Sequence, residues 1–362
     1  MLTKLQAKWF HTSTGSHIAT IGNDLRCRIW AEDHSQPPNS GRRFKRIAQI
    51  SSAVRTPFVS LDIKNINIVY TYLALMDRQG LLTIYEPSNP DDFKEWNIID
   101  KWNVVIPAPG RGQETSFRVR FDPNPQPLPW MNGLSDDSKM LSLVVTAMNT
   151  VKIYRSVISD SNGDNTALGG IKSFTFWEAA QLEAHPNLVR DVQWAPFNAR
   201  STDLIATACK DGSVRIYEMD ITANTITKST EEVDSARKQS HSAQSQPKSS
   251  LTTAIAGRKA ASQDLSSNNI DPSLNASNQA NVSRQGYSFP YKHEIALAAK
   301  LESAHNDAWA VSWDPSGQVL MSGGADGVTK LWKKSIANEQ WQLFADQAVE
   351  INDESEDGRA EG

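Results

Sequence analysis

Cysteine is nearly missing from this chain of 362 residues: only Cys27 and Cys209 occur, far apart, with no Cys-x-x-Cys and no clustered histidine. That excludes a disulfide framework and a recognisable zinc site, and it points to a reducing compartment. No run of about eighteen apolar residues is present and no secretory signal is recognised, so neither membrane insertion nor secretion is expected. Positive charge is not in excess either. Lys and Arg number 37 against 41 Asp and Glu, a net charge of −4, which supplies no field to draw phosphates; direct nucleic-acid binding is not expected. The chain also lacks a nucleophile beside a base, a phosphate-cradling glycine loop and a cofactor fingerprint. Asp91, Asp92 and Glu95, and Asp136 and Asp137, are loop carboxylates without a histidine partner. No catalytic, cofactor-binding or metal-binding residue is assigned, and the chain is not expected to be an enzyme.

What is present is a repeat. Ala304-His305-Asn306-Asp307, then Val311-Ser312-Trp313-Asp314-Pro315, then Met321-Ser322-Gly323-Gly324-Ala325-Asp326-Gly327-Val328-Thr329-Lys330-Leu331-Trp332 follow the order of one WD-type repeat, the unit of a β-propeller blade. Asp326-Gly327 is a hairpin turn signal, because glycine tolerates positive φ and aspartate bonds its own local backbone. The residues after it alternate, as a strand between two neighbours requires. In such blades a His, a Ser or Thr, an Asp and a terminal Trp form a buried hydrogen-bonded chain, here His305, Ser322, Asp326 and Trp332.

Weaker copies follow when the chain is aligned on the final aromatic. Thr20 and Asp24 lead to Trp30, and His185, Thr207 and Asp211 lead to Tyr217, with the aspartate at the same offset. Two further copies ending at Tyr85 and Tyr154 carry Gln79 and Met148 in place of that aspartate, so apolar packing is expected to hold them. The corners Phe121-Asp122-Pro123 and Trp194-Ala195-Pro196 match Trp313-Asp314-Pro315. The expected fold is all-β: a WD-repeat propeller of five recognisable blades in an open ring, built from residues 1–221 and 287–345. Eleven Trp and 39% hydrophobic residues are ample for its core.

Residues 222–286 contain no aromatic residue and are rich in Ser, Asn, Gln and Ala, so a disordered insertion is expected there. It carries basophilic segments at Arg237–Ser240 and Arg258–Ser262 and two silent glycosylation acceptors at Asn275 and Asn281. An acidic tail is expected over 346–362.

The stretch from His185 to Tyr217, with its Leu204-Ile205-Ala206-Thr207-Ala208-Cys209-Lys210-Asp211-Gly212 run, resembles the fifth blade of the Seh-type nucleoporins, of fungal origin. These are the WD-repeat members of the Y-shaped scaffold complex of the nuclear pore. Ser40–Ile47 resembles the linker after that family's second blade, and Asp307–Trp313 its sixth. The resemblance implies a non-enzymatic open propeller without cofactors, completed by strands that another nucleoporin donates. It implies a place in the nuclear envelope supporting protein and mRNA transport, and a second place at the vacuolar membrane in a coat-like complex regulating TOR signalling. It also aligns the copy ending at Trp30 with the family's second blade, so the first blade is missing from the sequence as it stands, either because the gene model is truncated, the favoured alternative, or because the propeller has lost it. Partner strands are expected beside Leu5 and Trp9 at one end and Trp341, Leu343 and Phe344 at the other. The competing readings are a WD-repeat substrate receptor of a ubiquitin ligase or another propeller adaptor. Against the receptor, no blade end shows the Trp-Asp-x-Arg of adaptor-docking chains.

Overall fold

The structure is a computed structural model that describes residues 4–66, 69–110, 112–124, 140–160, 172–196, 202–223 and 284–348. Its twenty strands form five four-stranded antiparallel sheets, each built from four consecutive strands. The first sheet comprises β1 (Lys4–Trp9), β2 (His17–Gly22), β3 (Arg26–Glu32) and β4 (Phe44–Ser51), and the second β5 (Phe58–Ile66), β6 (Tyr70–Asp77), β7 (Leu81–Asn89) and β8 (Asp92–Asn103). The third holds β9 (Phe117–Phe121), β10 (Ser142–Ala147), β11 (Thr150–Asp160) and β12 (Lys172–Gln181). The fourth holds β13 (Val189–Trp194), β14 (Asp203–Cys209), β15 (Val214–Ala223) and β16 (Tyr291–Leu301). The fifth is β17 (Ala308–Trp313), β18 (Val319–Gly324), β19 (Val328–Lys334) and β20 (Trp341–Ala348).

Each repeat-defining aromatic, from Trp30 to Trp332, stands in the third strand of its sheet, and a fourth, outer strand follows it. Phe44–Ser51 is such an outer strand, so the second half of the segment Ser40–Ile47, expected as a linker, is strand; Ile47, Ala48 and Ile50 pack against the core there. β15 and β16 pair as far as Ala223 opposite Tyr291. The expected insertion therefore narrows: ordered strand runs two residues into its start, and Arg284 already belongs to the fold at its end. The tail is shortened likewise, because β20 continues to Ala348. The bulk of the insertion with its basophilic and glycosylation motifs, Asp136, Asp137 and most of the tail lie outside the described residues.

The sheets pack in chain order through their first strands, β1 on β5, β5 on β9, β9 on β13 and β13 on β17. Each junction has its own apolar core. Ala19, Ile21, Cys27 and Ile29 meet Leu61, Leu73 and Leu75 between the first two sheets. Trp102 stacks on Phe176 at 5.4 Å and touches Tyr154 between the second and third, the two repeats that lack an aspartate at the expected offset; in the second, Asp77 Oδ1 accepts from Gln79 N at 2.8 Å and Leu81 N at 2.9 Å instead. Val144 and Ile153 meet Val192, Ile205 and Tyr217 at the third junction, and Leu204, Ala206 and Ile216 meet Val311, Leu320 and Trp332 at the fourth. The inner strands have backbone N–H groups that no strand of their own sheet can bond, and side chains of the preceding sheet accept them. Leu61 N donates to Gln6 Oε1 at 3.0 Å, Phe121 N to Asp62 Oδ2 at 2.7 Å and Val311 N to Asp191 Oδ2 at 3.3 Å.

No comparable core joins the fifth sheet to the first among the described residues. Burial shows the consequence. Every residue of β14 is buried, because sheets cover both of its faces, whereas β18 buries Leu320 and Ser322 and leaves Met321 between them 43% exposed. Among the described residues the ring is not closed, and one face of its first sheet and one of its last are left uncovered.

Candidate functional site

The best-formed polar cluster lies between the fourth and fifth sheets. The loop before β17 delivers His305 against the β18–β19 hairpin, where its Nε2 is 2.8 Å from Ser322 Oγ and its Nδ1 is 3.0 Å from Asp326 Oδ1. Trp332 Nε1 donates to the same Ser322 Oγ at 2.8 Å. One proton arrangement satisfies all four groups: Nδ1–H donates to the carboxylate, Ser322 O–H donates to Nε2, and the serine oxygen accepts from the indole. The connectivity is that of a Ser-His-Asp triad, yet Ser322 is 1% exposed and its oxygen is occupied by the indole N–H. No substrate atom can reach it, so the chain of bonds is a clasp.

Elsewhere the same residue types assemble less completely. In the fourth sheet His185 Nε2 is 2.9 Å from Thr207 Oγ1, and Tyr217 OH, in place of an indole, is 3.4 Å from the same nitrogen. Asp211, expected to complete this set, does not reach the ring. Its Oδ1 accepts from Ser213 N at 2.9 Å and Ser213 Oγ at 2.6 Å, and His185 Nδ1 is left buried without a partner. The cause is Ser213, which offers two donors two residues away where the fifth sheet has Val328 and its lone N–H. Burial, with Arg215 nearby, holds the His185 pKa down at about 4. In the first sheet Trp30 Nε1 donates to Thr20 Oγ1 at 2.9 Å and Asp24 pairs with Arg28, with no histidine joining them among the described residues.

The expected partner-binding residues divide between two situations. Trp9 is 55% exposed and its ring lies 5.9 Å from that of Phe44, itself 38% exposed, so the two rings meet over the free face of the first sheet. The side chain of Leu5 in β1 is outside the described residues. On the fifth sheet Phe344 is 68% exposed with the Lys333 ammonium 6.0 Å from its ring, and Leu343, opposite Trp332, is about half exposed. Trp341 turns the other way: it packs edge-on against Trp313 at 5.6 Å, inside the junction with the fourth sheet. The open surfaces are thus sheet faces, Trp9 with Phe44 on one and Met321 with Phe344 on the other, and the strand edges expected to bind are those every sheet presents.

Sequence reasoning missed a tie formed where the chain returns to the fold. Arg284 Nη2 bonds Asp100 Oδ1 at 2.5 Å, its guanidinium lies 5.6 Å over Trp102, and its carbonyl accepts from Glu178 N at 2.7 Å. Tyr287 stacks on Trp177 at 5.6 Å just beyond. Three sheets are joined by these few residues, and the isolated arginine in a polar stretch gave no signal of it. Among the described residues no group of three or more His, Cys, Asp and Glu side chains is placed to hold a metal ion, and no helix is long and apolar enough to cross a membrane.

Repeating four-stranded sheets around an axis, with a His-Ser-Asp-Trp clasp in the best-formed of them, define a WD-repeat β-propeller protein. The family described as WD domain, G-beta repeat, matches residues 177–218 and 298–333, which span the third and fourth junctions of the ring. Among curated proteins the chain is similar to the Seh1 nucleoporins, as the blade ending at Tyr217 suggests. Nucleoporin Seh1 of Chaetomium thermophilum is 32% identical over 325 residues, 75% of this chain and 59% of that protein. Those of Saccharomyces cerevisiae and Schizosaccharomyces pombe are 25% and 23% identical, over 91% and 92% of this chain and 79% and 76% of their own lengths. The chain is similar to the fungal Seh1 nucleoporins, and it spans 59% of the length of the Chaetomium protein.

Proposed function

We propose that the chain is a non-enzymatic scaffold subunit of the Y-shaped outer-ring complex of the nuclear pore, supporting protein and mRNA transport across the nuclear envelope. The observation that carries this reading is the pair of free sheet faces in a protein whose relatives are nucleoporins. Trp9 and Phe44 on one face and Met321 and Phe344 on the other are large apolar groups left exposed on sheets whose opposite faces are fully packed. Aromatic residues of this kind anchor protein interfaces. Strands from another nucleoporin, laid into the gap, would cover both faces. The same docking in a vacuolar coat-like complex would give the second, TOR-linked role. The absence of turnover is supported by the use of the histidines: His305 and His185 are buried and bonded within the fold.

A fluorescently tagged full chain, imaged in fungal cells and purified with its associated proteins, tests the reading. Nuclear-rim fluorescence and recovery of the outer-ring nucleoporins are expected, and Trp9→Ser with Phe344→Ser should abolish both while leaving the fold intact. Recovery of ubiquitin-ligase subunits with diffuse fluorescence would replace it with the substrate-receptor reading.

A further inference from the structure

We propose that the channel between the inner strands carries a binding site for a small diphosphate, held by Lys8, Lys64 and Arg120. A cavity of about 480 Å³ opens toward the ends of β1, β5, β9 and β13, a volume within the range of small-ligand sites. The three cations line it, one from each of the first three sheets. The chain as a whole carries a net charge of −4, so this positive charge is local. The inference goes beyond the scaffold reading and does not depend on it, because it concerns side chains that the docking of a nucleoporin does not use.

The carboxylates around the cavity are already engaged. Asp62 takes Lys8 on Oδ1 and Phe121 N on Oδ2 at 2.7 Å, and Asp122 Oδ1 accepts from Asn124 N at 2.9 Å and Asn124 Nδ2 at 2.7 Å. Asp191 is divided between the Arg120 and Arg118 guanidinium groups, at 3.4 and 3.8 Å, and Val311 N. Much of this acceptor capacity goes to amide N–H groups, which leaves the cations with donors to spare. An ammonium has three N–H groups and a guanidinium five. Among the described residues Lys8 bonds Asp62 alone, Lys64 bonds the carbonyls of Asp122 and Asn124, and Arg120 bonds Asp191 and the Val119 carbonyl. The two ammonium groups also oppose each other: burial lowers the Lys64 pKa, Asp122 and Asp62 hold it up, and Lys8 lowers it further. An anion between them relieves that repulsion, and charge-assisted bonds to phosphoryl oxygens use the spare donors. Two phosphoryl groups suit the arrangement better than one, because the lysines stand together beside Asp62 while Arg120 is turned toward Asp191 of the fourth sheet.

Titration calorimetry of the full chain with pyrophosphate, at constant ionic strength, tests the site. Saturable binding is expected, tighter than that of orthophosphate. Lys8→Gln and Arg120→Gln should each weaken it by about tenfold or more, the loss expected of one charge-assisted bond. Lys94→Gln, in an ammonium exposed on β8 and paired with Asp92, should leave it unchanged. Because a charge removed from the channel could disturb the fold, the unaltered chain is also acetylated with and without pyrophosphate and read by mass spectrometry. Pyrophosphate should protect Lys8 and leave Lys94 as reactive as before. Absence of saturable binding to the wild type, orthophosphate bound as tightly as pyrophosphate, unchanged affinity in a folded Lys8→Gln or Arg120→Gln, or equal protection of Lys8 and Lys94 would overturn the proposal. The scaffold reading, tested by co-purification, would stand after any of these.

Discussion

Removing the Ser322 hydroxyl tests whether the clasp of the fifth sheet is a structural device. In Ser322→Ala the Trp332 indole N–H loses its acceptor and His305 Nε2 loses its donor, both in a site 1% exposed that water cannot enter. Two buried polar groups left without partners should cost about 2–4 kcal/mol in total. For a domain of this size that lowers the melting temperature by roughly 4–16 °C. Ser322→Thr is the matched control, because at the same position Thr207 makes the imidazole bond and Thr20 the indole bond; it should stay within about 1 kcal/mol of the wild type. Thermal and urea unfolding of the full chain read both variants. If alanine and threonine destabilise equally, or if alanine costs under about 0.5 kcal/mol, the hydroxyl is not the centre of a bonded chain and the reasoning fails.

Other outcomes follow from the same geometry. His185 is held neutral to about pH 4 against an ordinary value of 6.5, so between those values the unfolded chain binds the extra proton and stability falls as pH drops; urea unfolding at pH 7 and at pH 4.5 should show the loss, and His185→Gln should reduce it. Arg284→Met leaves the Asp100 carboxylate buried without its cation and should cost about 3–5 kcal/mol, of which Asp100→Asn in the same chain should restore a large part, measured by a double-mutant cycle. Gly212 has φ +82° and a Cβ there would lie 2.0 Å from the His305 carbonyl oxygen, so Gly212→Ala should destabilise by about 3 kcal/mol or more and separate the last two sheets first in hydrogen exchange.

The sequence by itself determined the repeating unit. Asp326-Gly327, the Trp-x-Pro corners and the alternating strands act over a few residues, through turn geometry and side-chain period, and those terms are present in any window of the chain. The members of the clasp could be named for the same reason, since a histidine, a hydroxyl, an aspartate and an indole at fixed offsets have one mutual arrangement once the hairpin forms. The repeats at Tyr85 and Tyr154, expected to be held by apolar packing alone, also carry polar ties that spacing did not show: Asp77 bonds its own turn and Asp100 meets Arg284. Tertiary structure decided the rest, where partners came from distant segments. Asp211 turned to Ser213 and left His185 Nδ1 unpaired, a competition between local donors that spacing does not weigh. Trp341 went into the last junction while Phe344 stayed outside, because which face of β20 is covered depends on the packing of the fifth sheet on the fourth. Arg284 found Asp100 only because the ring brings the end of a long insertion back across two other sheets. Which sheet faces stay open is likewise a property of the assembled ring: an alternating strand specifies two faces, and only the presence or absence of a neighbour decides whether the second is core or docking surface.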